Sequence, residues 1–391
     1  MPDYDGRAMS EPQSDARHSG VNFSHPSEAR MSHPNRSILA AVTLFFLAPI
    51  VAEFLLGDFP ATWLPLLILL APMYGGGALL IRELTRLNGR GWPTILLLGV
   101  AYAIVEEAFT TQSLFNPDIF GLHAHLLSHA WIPSLGIGAW WTLFMLNVHA
   151  FWSIGVSIAL AEGLFPSPAG LYPPAAGPRQ SSARAPWLGK VGLSVAAALF
   201  VVGIFYNTIY SLRHDPFRAS TAQFIVSALV VVVFAAAAFL IPPASRDKSD
   251  SPLQRESIRD PLPAPPAFVT GVAAFLLGAA IMGSPILWKW NWAAPAFMLA
   301  VDLVFLMGLG LFSHRSAWTP LHTLSVGAGG ALVYGMHAFM QGPVVPCPKV
   351  IALASHILFL VLAVAVIALA VLRTRSALLL GSQEQTPAQL L

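Results

Sequence analysis

Apolar residues in this chain gather into ten long runs, at about 37–57, 62–82, 93–113, 138–164, 188–211, 221–242, 266–287, 292–313, 321–341 and 349–373. Each run approaches the ~20 residues that a helix rising ~1.5 Å per residue needs to cross a ~30 Å hydrocarbon core. The runs at 266–287 and 321–341 are the weakest, because Gly and Ser dilute them. The polar stretches between the runs read as connections. Residues 1–35 are rich in Ser, Pro, His and acids without an apolar core, which predicts a disordered cytoplasmic tail rather than a signal peptide. Segments 166–187 and 243–265, heavy in Pro, Ser and charge, predict flexible cytoplasmic loops, and 376–391 a short C-terminal tail. The expected fold is therefore all-α: a polytopic transmembrane helix bundle of about ten spans within 36–375.

Composition agrees, with 55% hydrophobic and 10% charged residues and a mean hydropathy of +0.65. With the N-terminus inside, seventeen of the 21 Lys and Arg residues fall on the cytoplasmic side. That bias predicts both termini in the cytoplasm of a cell with a bacterial-type inner (plasma) membrane. The net charge of +2 is accounted for by these loops and gives no reason to expect a nucleic-acid partner; the expected partner is the lipid bilayer. A single cysteine, Cys347, excludes an internal disulfide and a Cys-cluster metal site.

Against this background the ionisable residues inside the runs stand out. Glu106 and Glu107 lie together in the third, where each carboxylate costs at least ~2.5–3.5 kcal/mol on insertion scales. Consecutive residues point ~100° apart on an α-helix, so one glutamate is expected to face a site and the other to support it. Counting the helical rise from each run's start puts Glu53, Glu106, Asp302, His149, His337 and His356 in one slab between the midplane and the outer surface. Carboxylates with neutral imidazoles suit a divalent metal such as zinc, and Glu/His sets also build proton relays. In the following loop, His125 and His129 would share a face if that segment were helical; a surface helix with its histidines toward water is the preferred reading there.

A Glu-Glu pair in one membrane helix followed by single histidines in later ones resembles the CPBP/Abi (CAAX-protease-like) intramembrane metalloproteases. The resemblance implies that Glu106 activates the attacking water while His149 and His337 position it or bind metal. Thr111 stands where that pattern has Arg, Met145 and Val333 where it has Phe, and Gln341 where it has Asn or Asp. The stretch Leu80-Ile-Arg-Glu-Leu-Thr-Arg, then Gly91-Trp-Pro, Glu106-Glu and Gln112-Ser-Leu-Phe-Asn-Pro also resembles a group of uncharacterised bacterial multi-pass proteins.

The leading expectation is a CPBP-like, metal-dependent membrane hydrolase or protease. In it Glu106 and Glu107 are catalytic, His149 and His337 bind metal, and Glu53, Asp302 and His356 support them. Its substrate is a peptide or a small solute. The alternative is a secondary transporter with the same residues as an ion- or proton-coupled site. Ten spans divide into five and five, with buried acid in the third span of each half and His-Ala-Phe at His149 and His337 in the fourth, which would give inverted repeats.

Overall fold

The computed structural model describes residues 33–121, 123–166, 185–241, 264–313, 315 and 317–383. The expected N-terminal tail and most of both expected long loops lie outside the described residues. Among the described residues nine helices are long and apolar enough to cross a membrane. They are α1 (Asn35–Leu55), α2 (Ala61–Leu87), α3 (Trp92–Thr110), α4 (Ala139–Leu164), α5 (Lys190–His214), α6 (Thr221–Leu240), α7 (Ala267–Trp290), α8 (Ala293–Phe312) and, after one more helix, α10 (Lys349–Leu380). The intervening helix, α9 (Pro320–His337), forms over the Gly-diluted ninth run and is less apolar. The protein is thus an all-α, multi-pass membrane bundle. The last helix stays helical past Arg375 to Gln383.

Helix α4 is the hub: α1, α3, α8, α9 and α10 all pack on it. Its Trp152 stacks on Tyr334 of α9, with ring centroids 5.0 Å apart, and donates from Nε1 to the Gly330 carbonyl at 3.0 Å. Helices α5, α6 and α8 lie at the periphery, and most residues they expose between their ends are apolar, as at Val202 (61%) and Val232 (63%). Such surfaces are stable only against lipid. Tight approach in the interior comes from Gly75-Gly76-Gly77 of α2, each facing a different neighbour. A Cβ added at Gly75 would lie 2.0 Å from the Phe45 carbonyl oxygen of α1. At Gly76 it would meet the Phe200 backbone of α5 at 3.0 Å, and at Gly77 the Tyr102 ring of α3 at 2.6 Å.

One end of the bundle is tied by arginines. The Arg36 and Arg373 guanidinium groups donate to the Pro166 and Leu164 carbonyls past and at the end of α4, at 2.7 and 3.0 Å. Arg90 caps α6 through the Phe239 and Ile241 carbonyls. Deeper in, Arg86 clamps Glu162 with two hydrogen bonds at 2.9 and 3.0 Å, Arg82 reaches Glu162 at 3.2 Å, and Arg82 also pairs with Glu83. Glu83 accepts the Trp187 and Leu188 amides, and the Arg82 guanidinium lies 3.4 Å from the Trp187 ring centroid. These four charged side chains are buried and neutralise one another.

Candidate functional site

Among the described residues three of the ten helices widen into π-geometry, and each does so where it carries a candidate residue. α1 widens to a π-helix over Ile50–Leu55, α3 over Val105–Thr110 and α4 over Val148–Val156. The widened turns show in the i+5 bonds from the Asp58 amide to the Glu53 carbonyl and from the Thr111 amide to the Glu106 carbonyl, both 2.9 Å. Such insertions cost helix hydrogen-bond geometry and concentrate at functional sites. Here they hold Glu53, Glu106, Glu107 and His149.

The imidazole of His149 sits between the two glutamates. Its Nε2 lies 2.6 Å from Glu107 Oε1 and its Nδ1 3.2 Å from Glu106 Oε2, and all three residues are buried. The expectation that only one glutamate would face the site is corrected: both carboxylates reach the same ring, one at each nitrogen. The wider turn of the π segment reduces the angle between consecutive side chains, which lets both converge.

The two carboxylates differ in how they are held. Glu107 Oε2 accepts from Thr111 Oγ1 at 2.9 Å and from Ser113 Oγ. Thr111, which replaces the arginine of the CPBP pattern, thus supports the second glutamate. Glu106 Oε2 is buried and outside hydrogen-bonding geometry with any partner. On the ring of His149, Tyr74 stacks at 6.2 Å between centroids and Tyr102 meets it edge-on at 6.2 Å. The Ser153 hydroxyl is 3.4 Å from Nδ1.

Glu53 joins the edge of this cluster, accepting from the Tyr74 hydroxyl at 2.5 Å. In the turn after it, Asp58 accepts from Gln341 Nε2. Burial, then the neighbouring Glu53 charge, hold the Asp58 carboxyl well above the usual carboxylate range.

Three expected participants stay outside. His337, expected as a metal ligand, is half-buried beside Gln341 and does not join the Glu106, Glu107 and His149 group. The residue of α9 level with His149 is Tyr334, whose hydroxyl approaches the Val148 carbonyl at 3.4 Å; His337 lies ~4.5 Å farther along the axis. Asp302 of α8 accepts from Asn147 Nδ2 at 3.1 Å instead. His356 packs against Phe339 and Gly57 at the end of the bundle. The loop around His125 is not a regular helix, since His125 takes φ 48°, and His129 stacks on Trp288 at 4.2 Å. Sequence reading missed Tyr74, Tyr102, Ser113 and Ser153; the one available signal was Tyr102, a turn before Glu106 on the same face.

A family model described as an uncharacterised membrane protein family matches residues 42–241, just over half of the 391-residue chain. The chain belongs to that family. The matched stretch contains Glu53, Glu106, Glu107 and His149 and leaves out Asp302, His337 and His356. The division between clustered and outlying residues is therefore also the boundary of the family match. No curated protein and no solved structure matches the chain.

Proposed function

We propose that this protein is a membrane-embedded, metal-dependent hydrolase of a bacterial-type inner (plasma) membrane, acting on a peptide or a small solute. The observation that carries the proposal is the donor set: Glu106, Glu107 and His149 each offer one ligand atom, all within 4.8 Å of one another in buried surroundings. Three protein donors of the carboxylate and imidazole type fit a divalent ion such as zinc with a position left for water. The bonding of Glu107 to Thr111 and Ser113 gives the outer support such ligands need, and the unbonded Glu106 Oε2 leaves a carboxylate atom for ligation or proton transfer.

A bound ion would supply Lewis acidity and lower the proton affinity of its water. Within the chain's own residues the roles divide by hydrogen bonding. Glu107 keeps Oε2 on Thr111 and Ser113 and would turn Oε1, which here meets His149, to the ion. Glu106, with a free oxygen, takes the proton from water as general base. His149, with a carboxylate at each nitrogen, would give one nitrogen to the ion and keep the other bonded to a carboxylate. Burial of the set keeps bulk water from competing.

The transporter alternative draws less support from the packing. In the first half α1 packs on α2 and α2 on α5, whereas in the second half α6 packs on α3 and α7 on α9. The two closest helix pairs of the first half, α1–α2 and α2–α5, thus have no close counterpart in α6–α7 and α7–α10, and Asp302 and His337 stay apart from the acid and histidine they would mirror.

The test is metal content of the detergent-purified protein by mass spectrometry, for wild type, Glu106→Gln and His149→Ala. Near-stoichiometric metal, lost in both variants, is expected. A metal-free wild type that remains active as a hydrolase, or retention of metal in His149→Ala, sinks the proposal.

A further inference from the structure

Helices α5 and α6 each pack on the π-helical end of α3, away from the arginine ties, but not closely on one another. The space between them is a cleft of about 460 Å³, lined by Phe109, Gln112, Thr208, Leu212, Arg218 and Phe224. Its size falls within the ~300–1,000 Å³ of small-molecule sites. Both flanking helices present apolar residues outward, so the cleft adjoins lipid rather than water.

The lining divides by chemistry. Phe109 and Phe224 stack with ring centroids 5.6 Å apart, and Leu212 extends the apolar wall. Gln112 supplies the polar part. Its backbone takes φ 58°, a left-handed conformation unusual for a residue with a side chain, and the residue is only 4% exposed. The Ala219 amide donates to Gln112 Oε1 at 2.7 Å, which identifies Nε2 as the donor end of the side chain. Among the described residues that Nε2 has no hydrogen-bond acceptor. A nine-tenths buried donor without an acceptor calls for one from a ligand. Arg218, exposed beside it, donates to the Leu212 and Asp215 carbonyls at 2.6 Å each, which fixes its positive charge at the mouth.

A ligand matching this lining is apolar along one side, accepts a hydrogen bond in the middle and carries negative charge at one end. We propose that the cleft binds a glycerophospholipid of the adjacent leaflet. An acyl chain lies on Phe109, Phe224 and Leu212, an ester carbonyl accepts from Gln112 Nε2, and the phosphate meets Arg218. The bilayer presents such molecules to this face at all times. Gln112 stands between Thr111 and Ser113, the two residues that hold Glu107, and Thr208 Oγ1 is 3.4 Å from Thr110 Oγ1. A lipid seated there braces the segment that positions Glu107. The lipid site does not depend on the hydrolase reading and stands if no metal or activity is found.

The experiment is native mass spectrometry of the detergent-purified full chain titrated with dioleoyl phosphatidylglycerol. Wild type is compared with Leu212→Trp, which fills the cleft, and Arg218→Gln, which removes the charge. Lys289→Gln, at the same end of the bundle but on α7, is the control. One lipid should bind wild type and Lys289→Gln about tenfold more tightly than it binds either cleft variant. Dioleoylglycerol, which lacks the phosphate, should bind wild type about tenfold more weakly than the phospholipid. Equal binding by all the proteins would mean annular lipid only and overturns the proposal. So does dioleoylglycerol binding as tightly as the phospholipid, or glycerophosphate without acyl chains doing so. If one cleft variant fails to fold, the other decides between these outcomes.

Discussion

Replacing each glutamate of the pair by glutamine should separate their roles, because the isosteric change removes charge and acceptor capacity without opening a cavity. Glu107 has three side-chain partners: His149 at 2.6 Å, Thr111 at 2.9 Å and Ser113. An amide removes the charge from all three bonds, and an NH2 facing the two hydroxyls requires both to turn from donors to acceptors. With hydrogen bonds to a charged group contributing ~1.5–3 kcal/mol each, Glu107→Gln is expected to destabilise the fold by about 2–5 kcal/mol. Glu106 Oε2 is outside hydrogen-bonding geometry and lies 3.2 Å from His149 Nδ1, while the side chain is buried. Glu106→Gln is therefore expected to change stability by no more than about 1 kcal/mol in either direction, the pattern of a group kept for function rather than for the fold. Equilibrium unfolding in mixed dodecyl maltoside and dodecyl sulfate micelles, followed by fluorescence of the 11 tryptophans, measures both. A Glu106→Gln loss equal to or larger than that of Glu107→Gln would refute the division of roles.

Three further outcomes follow from other parts of the structure. Glu162→Ala leaves Arg82 and Arg86 buried without their shared counter-charge and should cost about 3–5 kcal/mol in the same unfolding assay; a loss below about 1 kcal/mol would mean that water reaches the pair. Gly75→Ala puts a methyl 2.0 Å from the Phe45 carbonyl and should cost about 3 kcal/mol by forcing α1 from α2. Gly89→Ala, with open space but φ +63°, should cost only about 1 kcal/mol; the reverse order would contradict the packing. Burial holds His129, stacked on Trp288 in the loop before α4, below its usual value near 6.5. A lowered histidine value means the neutral form is favoured in the folded state, so its stabilising contribution is full above about pH 6.5 and is lost as pH falls. Melting temperature in wild type should drop more steeply on acidification than in His129→Gln, and parallel curves would exclude the effect.

The helical architecture was legible because lipid imposes one rule on every spanning segment: all backbone groups must be bonded within the helix and the side chains must be apolar. Ten apolar runs accordingly became ten helices, including the Gly-rich one at Pro320–His337, which is less apolar because it packs on α7, α4 and α10. The glutamate pair was legible for the same reason, since buried charge has no other explanation in such a run. The arginine distribution was visible as a bias toward one end. That Arg82 and Arg86 are buried partners of Glu162, with Arg36, Arg90 and Arg373 capping carbonyls, was not. Sign and position are written in the chain, whereas pairing depends on which helices meet.

The sequence by itself determined that this is an all-α membrane protein with an acidic pair inside its third span, because hydropathy and the cost of buried charge are local properties of a segment. Only the tertiary structure decided which residues form the site. Glu53, Glu106, Glu107 and His149 come together because α1, α3 and α4 each insert an extra residue in a turn at the same level, a choice of i+5 over i+4 hydrogen bonds that composition does not signal. His337, Asp302 and His356 share the residue types but not the level or the face. At a scale of a few ångströms, rotation and rise of one packed helix against another settle contact, and those are set by side-chain interlocking across the whole bundle.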